Sequence, residues 1–402
     1  MRILMPNHFP LQGSGSGIYT LNVAKELITA GHEVLAIVPD HEPTTGYTFP
    51  TRTILFSNGT NAGAQLDFNF PCFTTHPRSK TTFYELTAEQ LAAYVSAWQT
   101  AIAEAVADFK PDVIHAHHVW VTPYVAQQTG VPYVISCHGT DLMGFHKGPR
   151  YREMALTGAR NAHAIITISR NVKAEAMATY GVADEVTPLI WNGFDHTRFQ
   201  VIAEATKEAV LAEFGLGGAD RPLVSFVGKF TDFKGIDLLL KAAATYEKAL
   251  PGVQTVLVGH GALWDEMHEL ARDLDLKGVH FLGHQPQPRV ARIYNAADVS
   301  VVPSRIEPFG LVAVEALACG TPVVATNAGG LPDFINEEVG RLVPLDDAAS
   351  LAAAIIAEIE QETKKSKGVR ASRYALDSFT WTQQVARMVK LYESALADEA
   401  AA

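Results

Sequence analysis

Cysteine is scarce in this chain: only Cys72, Cys137 and Cys319 occur among 402 residues. An odd, scattered set forms neither a disulfide framework nor a Cys-x-x-Cys metal pair, and it fits a reducing compartment. Long hydrophobic runs are also missing. No stretch of about eighteen apolar residues offers itself to a bilayer. The opening MRILMPNHFP has one basic residue followed by polar ones within the first ten positions, unlike a secretory leader. Positive charge is in deficit, with 32 Lys and Arg against 43 Asp and Glu and a net charge of −11. That balance argues against a broad nucleic-acid-binding surface. The one basic run, Lys364, Lys365, Lys367, Arg370 and Arg373, reads as a solvated helix face ahead of a membrane or phosphate patch. The expectation is a cytoplasmic protein with, at most, peripheral membrane contact.

What is present is an alternation of short apolar runs with longer helical patterns. The runs are Arg2–Met5, Glu33–Pro39, Asp112–His117, Val131–His138 and Ala164–Ser169, and after Pro188 the rhythm restarts with Leu223–Gly228, Val253–Gly259, Val279–Gly283, Val299–Ser304 and Pro322–Thr326. Continuous rather than alternating apolar strands imply parallel sheets covered on both faces. The fold class is therefore α/β, with two Rossmann-like doubly wound domains and a hinge near residues 188–200, where Pro188, Asn192 and Gly193 supply turn chemistry. The stretch 18–30 predicts a helix burying Ile18, Leu21, Ala24, Leu27 and Ile28, closed by Gly31. A last helix over 379–395 carries Trp381, Val385, Met388, Val389, Leu391 and Tyr392 at helical spacing, and the acidic, Ala-rich end at 397–402 is expected to fray.

Ligands of open parallel sheets sit beyond the carboxyl ends of the strands, and polar clusters fall at those places. Gly13 to Gly17 reads Gly-Ser-Gly-Ser-Gly between the first strand and helix, a loop whose glycines let a ligand approach the backbone. It matches neither the dinucleotide GxGxxG nor a Walker loop, and a plain turn is an equal reading. Lys229 and Lys234 stand five apart in the loop after the first strand of the second half, where they can converge on a diphosphate. Glu307, Phe309, Gly310, Leu311, Val312 and Glu315 occupy a loop and helix start whose free amides suit a phosphate. Glu315 lies among apolar residues, so its carboxylate needs a partner. His138 before Gly139 at a strand end is a ligand-facing candidate, with a core histidine as the bland alternative. His115 and His117 share a strand face, but spacing marks no third ligand, so no metal is expected. The glycine pair of Gly329-Gly330-Leu331-Pro332 reads as a further close-approach loop.

Taken together, these motifs resemble the family-4 retaining glycosyltransferases of the GT-B fold. The resemblance spans nearly the whole chain and rests on Gly31-His32-Glu33-Val34, His138-Gly139, Trp191-Asn192-Gly193-Phe194-Asp195, Gly228-Lys229 with Lys234-Gly235, and Glu307 through Glu315 followed by Gly320-Thr321-Pro322. It implies an N-terminal acceptor-binding domain over 1–190, a nucleotide-sugar-binding domain over 191–374, a helix over 375–402 returning to the first, and an interdomain cleft. It also implies that Lys229 and Lys234 hold a donor diphosphate, Glu315 the ribose and Glu307 the donor sugar. His138 would contact that sugar, and Gly15 and Gly17 would approach the phosphate or the sugar from the first domain. An arginine is commoner at the place of Lys229, and lysine lacks its bidentate fork.

The implied reaction is hexosyl transfer from a nucleotide diphosphate sugar, UDP-linked first, to a hydroxyl acceptor that is a small molecule, glycan or lipid. No cofactor is implied. The segment 66–86, with Phe68, Phe70, Phe73, His76, Arg78, Lys80, Phe83 and Tyr84, and the trio Arg150, Tyr151 and Arg152 are expected on the acceptor side. The competing readings are a nucleotide-sugar epimerase, a sugar phosphorylase and a two-lobed sugar-binding protein without catalysis.

Overall fold

The structure is a computed structural model that describes residues 1–74, 76–361 and 364–401, with the side chains at 364, 365, 400 and 401 outside that description. The chain divides into two units, Met1–Trp191 with Trp381–Ala402, and Asn192–Thr380.

The first unit holds six parallel strands: β1 (Arg2–Pro6), β2 (Glu33–Asp40), β3 (Thr51–Leu55), β4 (Val113–His117), β5 (Tyr133–Cys137) and β6 (Ala164–Thr167). Their order is β3-β2-β1-β4-β5-β6. The central strands are buried at nearly every position, because helices cover both faces of a parallel sheet. The second unit repeats the plan with β7 (Leu223–Val227), β8 (Gln254–Val258), β9 (Val279–Gly283), β10 (Val299–Val302), β11 (Val323–Thr326) and β12 (Gly340–Val343), ordered β12-β11-β10-β7-β8-β9. Sequence pattern did not mark β3 or β12. Both are edge strands of mixed polarity, TRTIL and GRLV, each lacking the apolar run that two-sided burial imposes.

The first helix spans Gly15–Thr29, three residues earlier than periodicity predicted, because the Ser14 side chain accepts from the Gly17 amide and caps it there. Its buried face is Tyr19, Val23, Ala24 and Leu27, whereas Ile18 is exposed. The predicted stripe is thus rotated about the axis, since Tyr19 rather than Ile18 turns inward. Gly31 closes the end at φ +85°.

The helix Lys364–Ser378 belongs to the second unit, so the return to the first begins at Trp381 rather than near 375. The reason is packing. Ser372 donates to the Ala318 carbonyl, and Lys367 is buried with Nζ 2.8 Å from Glu358 Oε1. Lys367 is therefore no part of a solvated basic face; Arg370 and Arg373 are exposed, and the Lys364 and Lys365 side chains lie outside the described residues. The final helix, Trp381–Ala401, places Trp381, Val385, Met388 and Tyr392 in the core of the first unit. It stays helical where fraying was expected, apart from residue 402, which lies outside the description. Among the described residues, no helix is long and apolar enough to cross a membrane.

Candidate functional site

Each strand order reverses once. In the second unit the reversal lies between β7 and β10, and in the first between β1 and β4. Such switch points open a crevice at the carboxyl ends of the strands, and the candidate residues fall on the loops beside them.

In the second unit, the loop after β7 carries Lys229 and Lys234, and the loop after β10 carries Glu307 and Gly310. Lys234 Nζ donates to Glu307 Oε2 at 2.6 Å, and Ser304 Oγ donates to the same oxygen at 3.1 Å. The two loops approach closely because Gly235 adopts φ +62°, where a Cβ would stand 2.0 Å from the Pro303 carbonyl oxygen. The Gly329-Gly330 loop joins them: the Gly330 amide donates to the Glu307 carbonyl at 2.9 Å. Lys229 is exposed, with no ion-pair partner among the described residues.

The helix Leu311–Ala318 starts at Gly310, which has φ +106° and offers no capping side chain. The amides of Leu311 and Val312 therefore meet no protein acceptor among the described residues, at the positive end of the helix dipole. Phe309 is buried against Phe334 at 5.3 Å and supports this turn. One turn further on, Glu315 is 8% exposed, and its carboxylate has no hydrogen-bond partner among the described residues. Burial first, and then the charge of Asp195, push its pKa up to about 8, against the pull of Arg198. A buried carboxyl without a protein partner keeps hydrogen-bonding capacity that the protein itself does not use.

In the first unit, His138 Nε2 lies 3.2 Å from His117 Nδ1, and its ring meets the Tyr19 edge at 4.9 Å. Tyr19 stands on the first turns of the helix that begins at Gly15, so that helix start is joined to His138 through the Tyr19 ring. Burial holds the imidazole of His138 well below its usual pKa, and thus neutral. The two glycines differ. A Cβ on Gly15 meets nothing within 4 Å, whereas one on Gly17 would stand 2.0 Å from the Pro10 carbonyl oxygen. Gly17 is there for packing, and Gly15 leaves open space. His115 is committed on both nitrogens, to Ser136 at 2.8 Å and Tyr392 at 2.7 Å.

Among the expected acceptor-side residues, the phenylalanines and the trio 150–152 are structural. Phe68, Phe70, Phe73 and Phe83 are buried, since they fill the space beside the sheet. Tyr151 donates to the Phe83 carbonyl at 2.6 Å, Arg150 to that of Leu86 at 2.6 Å, and Arg152 to those of Phe145 and His146.

Comparison with known proteins decides the family. Residues 13–198 match the model of Glycosyltransferase Family 4, and residues 215–375 match that of Glycosyl transferases group 1. A D-inositol 3-phosphate glycosyltransferase of Mycobacteroides abscessus is 33% identical over 342 residues, covering 79% of this chain and 74% of that protein. The chain belongs to the family-4 glycosyltransferases. A glycogen synthase of Mycobacterium tuberculosis is 29% identical over 300 residues, 71% of this chain and 70% of that one. Among solved structures, sucrose-phosphate synthase from Thermosynechococcus elongatus superposes with a TM-score of 0.76 at 27% identity, covering 99% of this chain and all of that one. The two Rossmann-like domains are those of the GT-B fold, and the protein is an enzyme rather than a passive sugar binder.

Sequence reasoning overlooked one residue of this glycosyltransferase. Arg305 grips Asp237 with both Nη atoms at 2.9 Å and reaches Asp346 through Nε at 2.7 Å, while its amide donates to the Phe233 carbonyl at 2.8 Å. Burial alone would raise the Asp237 pKa, but Arg305 and Lys241 hold it at about 2. Arg305 thereby ties the Lys234 loop to the Glu307 loop. Its sequence signal was its place just after β10, between Ser304 and the motif glutamate.

Proposed function

We propose that this glycosyltransferase moves a hexosyl group from a nucleotide diphosphate sugar, a UDP-sugar before GDP or ADP ones, to an acceptor hydroxyl with retention of anomeric configuration. The observation that carries the reading is the Lys234–Glu307 pair at the β7/β10 switch point, beside the free helix-start amides and the unpartnered Glu315. Lys229, Lys234 and the amides of Gly310, Leu311 and Val312 would bind the diphosphate, Glu315 the ribose hydroxyls and Glu307 the sugar. His138 and the open backbone at Gly15 would meet that sugar, while Gly17 holds the loop against the Pro10 carbonyl.

During transfer the C1–O bond to the diphosphate breaks and negative charge grows on the leaving oxygen. Fixed lysine and amide dipoles favour that charge more in the transition state than in the ground state. The acceptor oxygen bonds to C1 on the same face, and its proton passes to the departing phosphate, so neither glutamate need act as the acid or base of a glycosidase. The charge is met without a metal in this scheme. The names of the relatives differ in acceptor, from inositol phosphate to glycogen, so the acceptor hydroxyl is assigned only as one bound by the first unit.

Supplying UDP-, GDP- and ADP-sugars in turn and measuring the nucleoside diphosphate released tests the donor. NMR of the product's anomeric proton tests retention. Lys234→Ala should lower turnover at least about ten-fold, the worth of one charge-assisted contact to the leaving group. Unchanged turnover in that variant would remove Lys234 from the site.

A further inference from the structure

The first unit carries an open cavity of about 850 Å³ beside the glycine loop, with Gly13, Asp40, His41, Glu42, Tyr47 and Arg78 on its walls. It lies at the carboxyl ends of β1 and β2, where Asp40 is the last strand residue. None of these side chains has a part in the donor site described above.

The cavity is built rather than incidental. Asp40 Oδ1 accepts from Arg78 Nη1 at 2.5 Å and from the His41 amide at 2.7 Å. That leaves Oδ2 of Asp40, and Nε and Nη2 of Arg78, without partners among the described residues. The loop that holds Arg78 is closed by reciprocal His76–Ser79 backbone bonds of 3.0 and 3.1 Å, and His76 Nε2 sits 3.2 Å from the Gln12 carbonyl. Gly13 adopts φ +92°, and a Cβ there would lie 2.6 Å from His76 Nε2, so the glycine loop and the Arg78 loop are fitted to each other.

Charge selects the occupant. Asp40 already neutralises Arg78, and the exposed Glu42 leaves the walls with surplus negative charge. Burial keeps His76 on the neutral side of its usual titration. A phosphate or carboxylate would meet repulsion there, whereas sugar hydroxyls find two carboxylate acceptors, guanidinium donors and the Tyr47 ring as a wall. A packed row of rings separates the cavity from His138, His76 to Phe9 at 6.4 Å, Phe9 to His118 at 5.3 Å, and His118 to His138 at 4.6 Å, and Gly13 of the glycine loop stands on the cavity wall. His118 is buried, with both ring nitrogens unpaired among the described residues.

We propose that this cavity is the acceptor subsite and that it takes an uncharged, hydroxyl-rich glycan, not a phosphorylated sugar or polyol. Asp40 and Glu42 accept hydrogen bonds from sugar hydroxyls, Arg78 donates to ring or hydroxyl oxygens, and the ring to be glycosylated lies toward His138. The assignment rests on the transferase reading of the site and adds the class of acceptor to it.

The test uses the full chain with whichever donor releases nucleotide. Uncharged mono-, di- and trisaccharides are compared with their phosphate esters as acceptors, and product is followed by mass spectrometry. The expected result is transfer to uncharged members, with Glu42→Gln and Arg78→Ala raising the acceptor KM about ten-fold and leaving the donor KM unchanged. Glu42 is exposed, so its variant keeps the fold. Transfer only to phosphate esters, no transfer to any uncharged sugar, or an unaltered acceptor KM in both variants overturns the proposal. Calorimetry of nucleotide binding separates the two readings: nucleotide bound without such transfer sinks the acceptor class alone, and no nucleotide bound sinks the donor reading.

Discussion

Glu315 sits among Val314, Ala316 and Leu317 on a helix whose other residues are almost wholly apolar, and burial raises its pKa from 4.5 to about 8. The unfolded chain releases this proton near 4.5, while the folded chain keeps it to higher pH. Stability linked to Glu315 is therefore complete below 4.5 and is lost as pH rises towards 8. Glu315→Gln is neutral throughout and escapes that loss. Thermal unfolding of the two proteins should nearly coincide at pH 5, and the variant should gain about 2–4 kcal/mol over the parent by pH 8. The same variant should bind nucleotide more weakly, because an amide replaces the acceptor of ribose hydroxyls. Parallel melting curves across this range would show that the carboxyl is not held protonated. The motif marked this glutamate as a candidate for binding. Its titration was not legible, because the pKa depends on Asp195, Arg198 and the depth of burial, which only the folded chain brings together.

At the level of elements, the start of the first helix separates two roles that one glycine string conceals. Gly17 packs against the Pro10 carbonyl, and Gly15 faces open space. Gly17→Ala should destabilise the protein by about 2 kcal/mol or more through overpacking against fixed backbone. Gly15→Ala should leave stability within about 0.5 kcal/mol yet reduce turnover if a ligand approaches that amide. Thermal melts paired with nucleotide-release rates distinguish them, and equal loss of stability in both would contradict the assignment. Strand recognition shows a similar division. The buried strands were readable because two-sided burial demands continuous apolar residues, whereas β3 and β12 are fixed by pairing along one edge, which leaves no such pattern in TRTIL or GRLV. The aromatic segment from 66 to 86 was read as a binding surface for a related reason: Phe70 and Phe83 look alike in sequence whether they fill a core or line a pocket.

On the scale of the whole molecule, the chain leaves its first unit after Trp191 and re-enters it at Trp381. The returning helix is integral to that unit. Trp381, Val385, Met388 and Tyr392 are buried there, Trp381 meets the Tyr19 ring at 5.2 Å, and the Tyr392 hydroxyl is 2.7 Å from His115 Nδ1. Each large apolar side chain withdrawn from water contributes about 1.5–3 kcal/mol, and together they rival the ~5–15 kcal/mol stability of an ordinary domain. A chain ending at Thr380 should therefore expose its first unit to protease while the second unit stays resistant. Resistance of both units would mean that the helix is dispensable. Sequence alone determined the class of fold, the doubling of the α/β unit and the placing of the motif loops at strand ends, because strand burial and turn chemistry are local properties written in residue type and spacing. Tertiary structure alone decided which residues meet across those loops: Arg305 with Asp237, Asp40 with Arg78, and Tyr392 with His115. Such pairs join positions 38 to 277 residues apart, and no local pattern encodes a contact that exists only after the strands have been ordered into sheets.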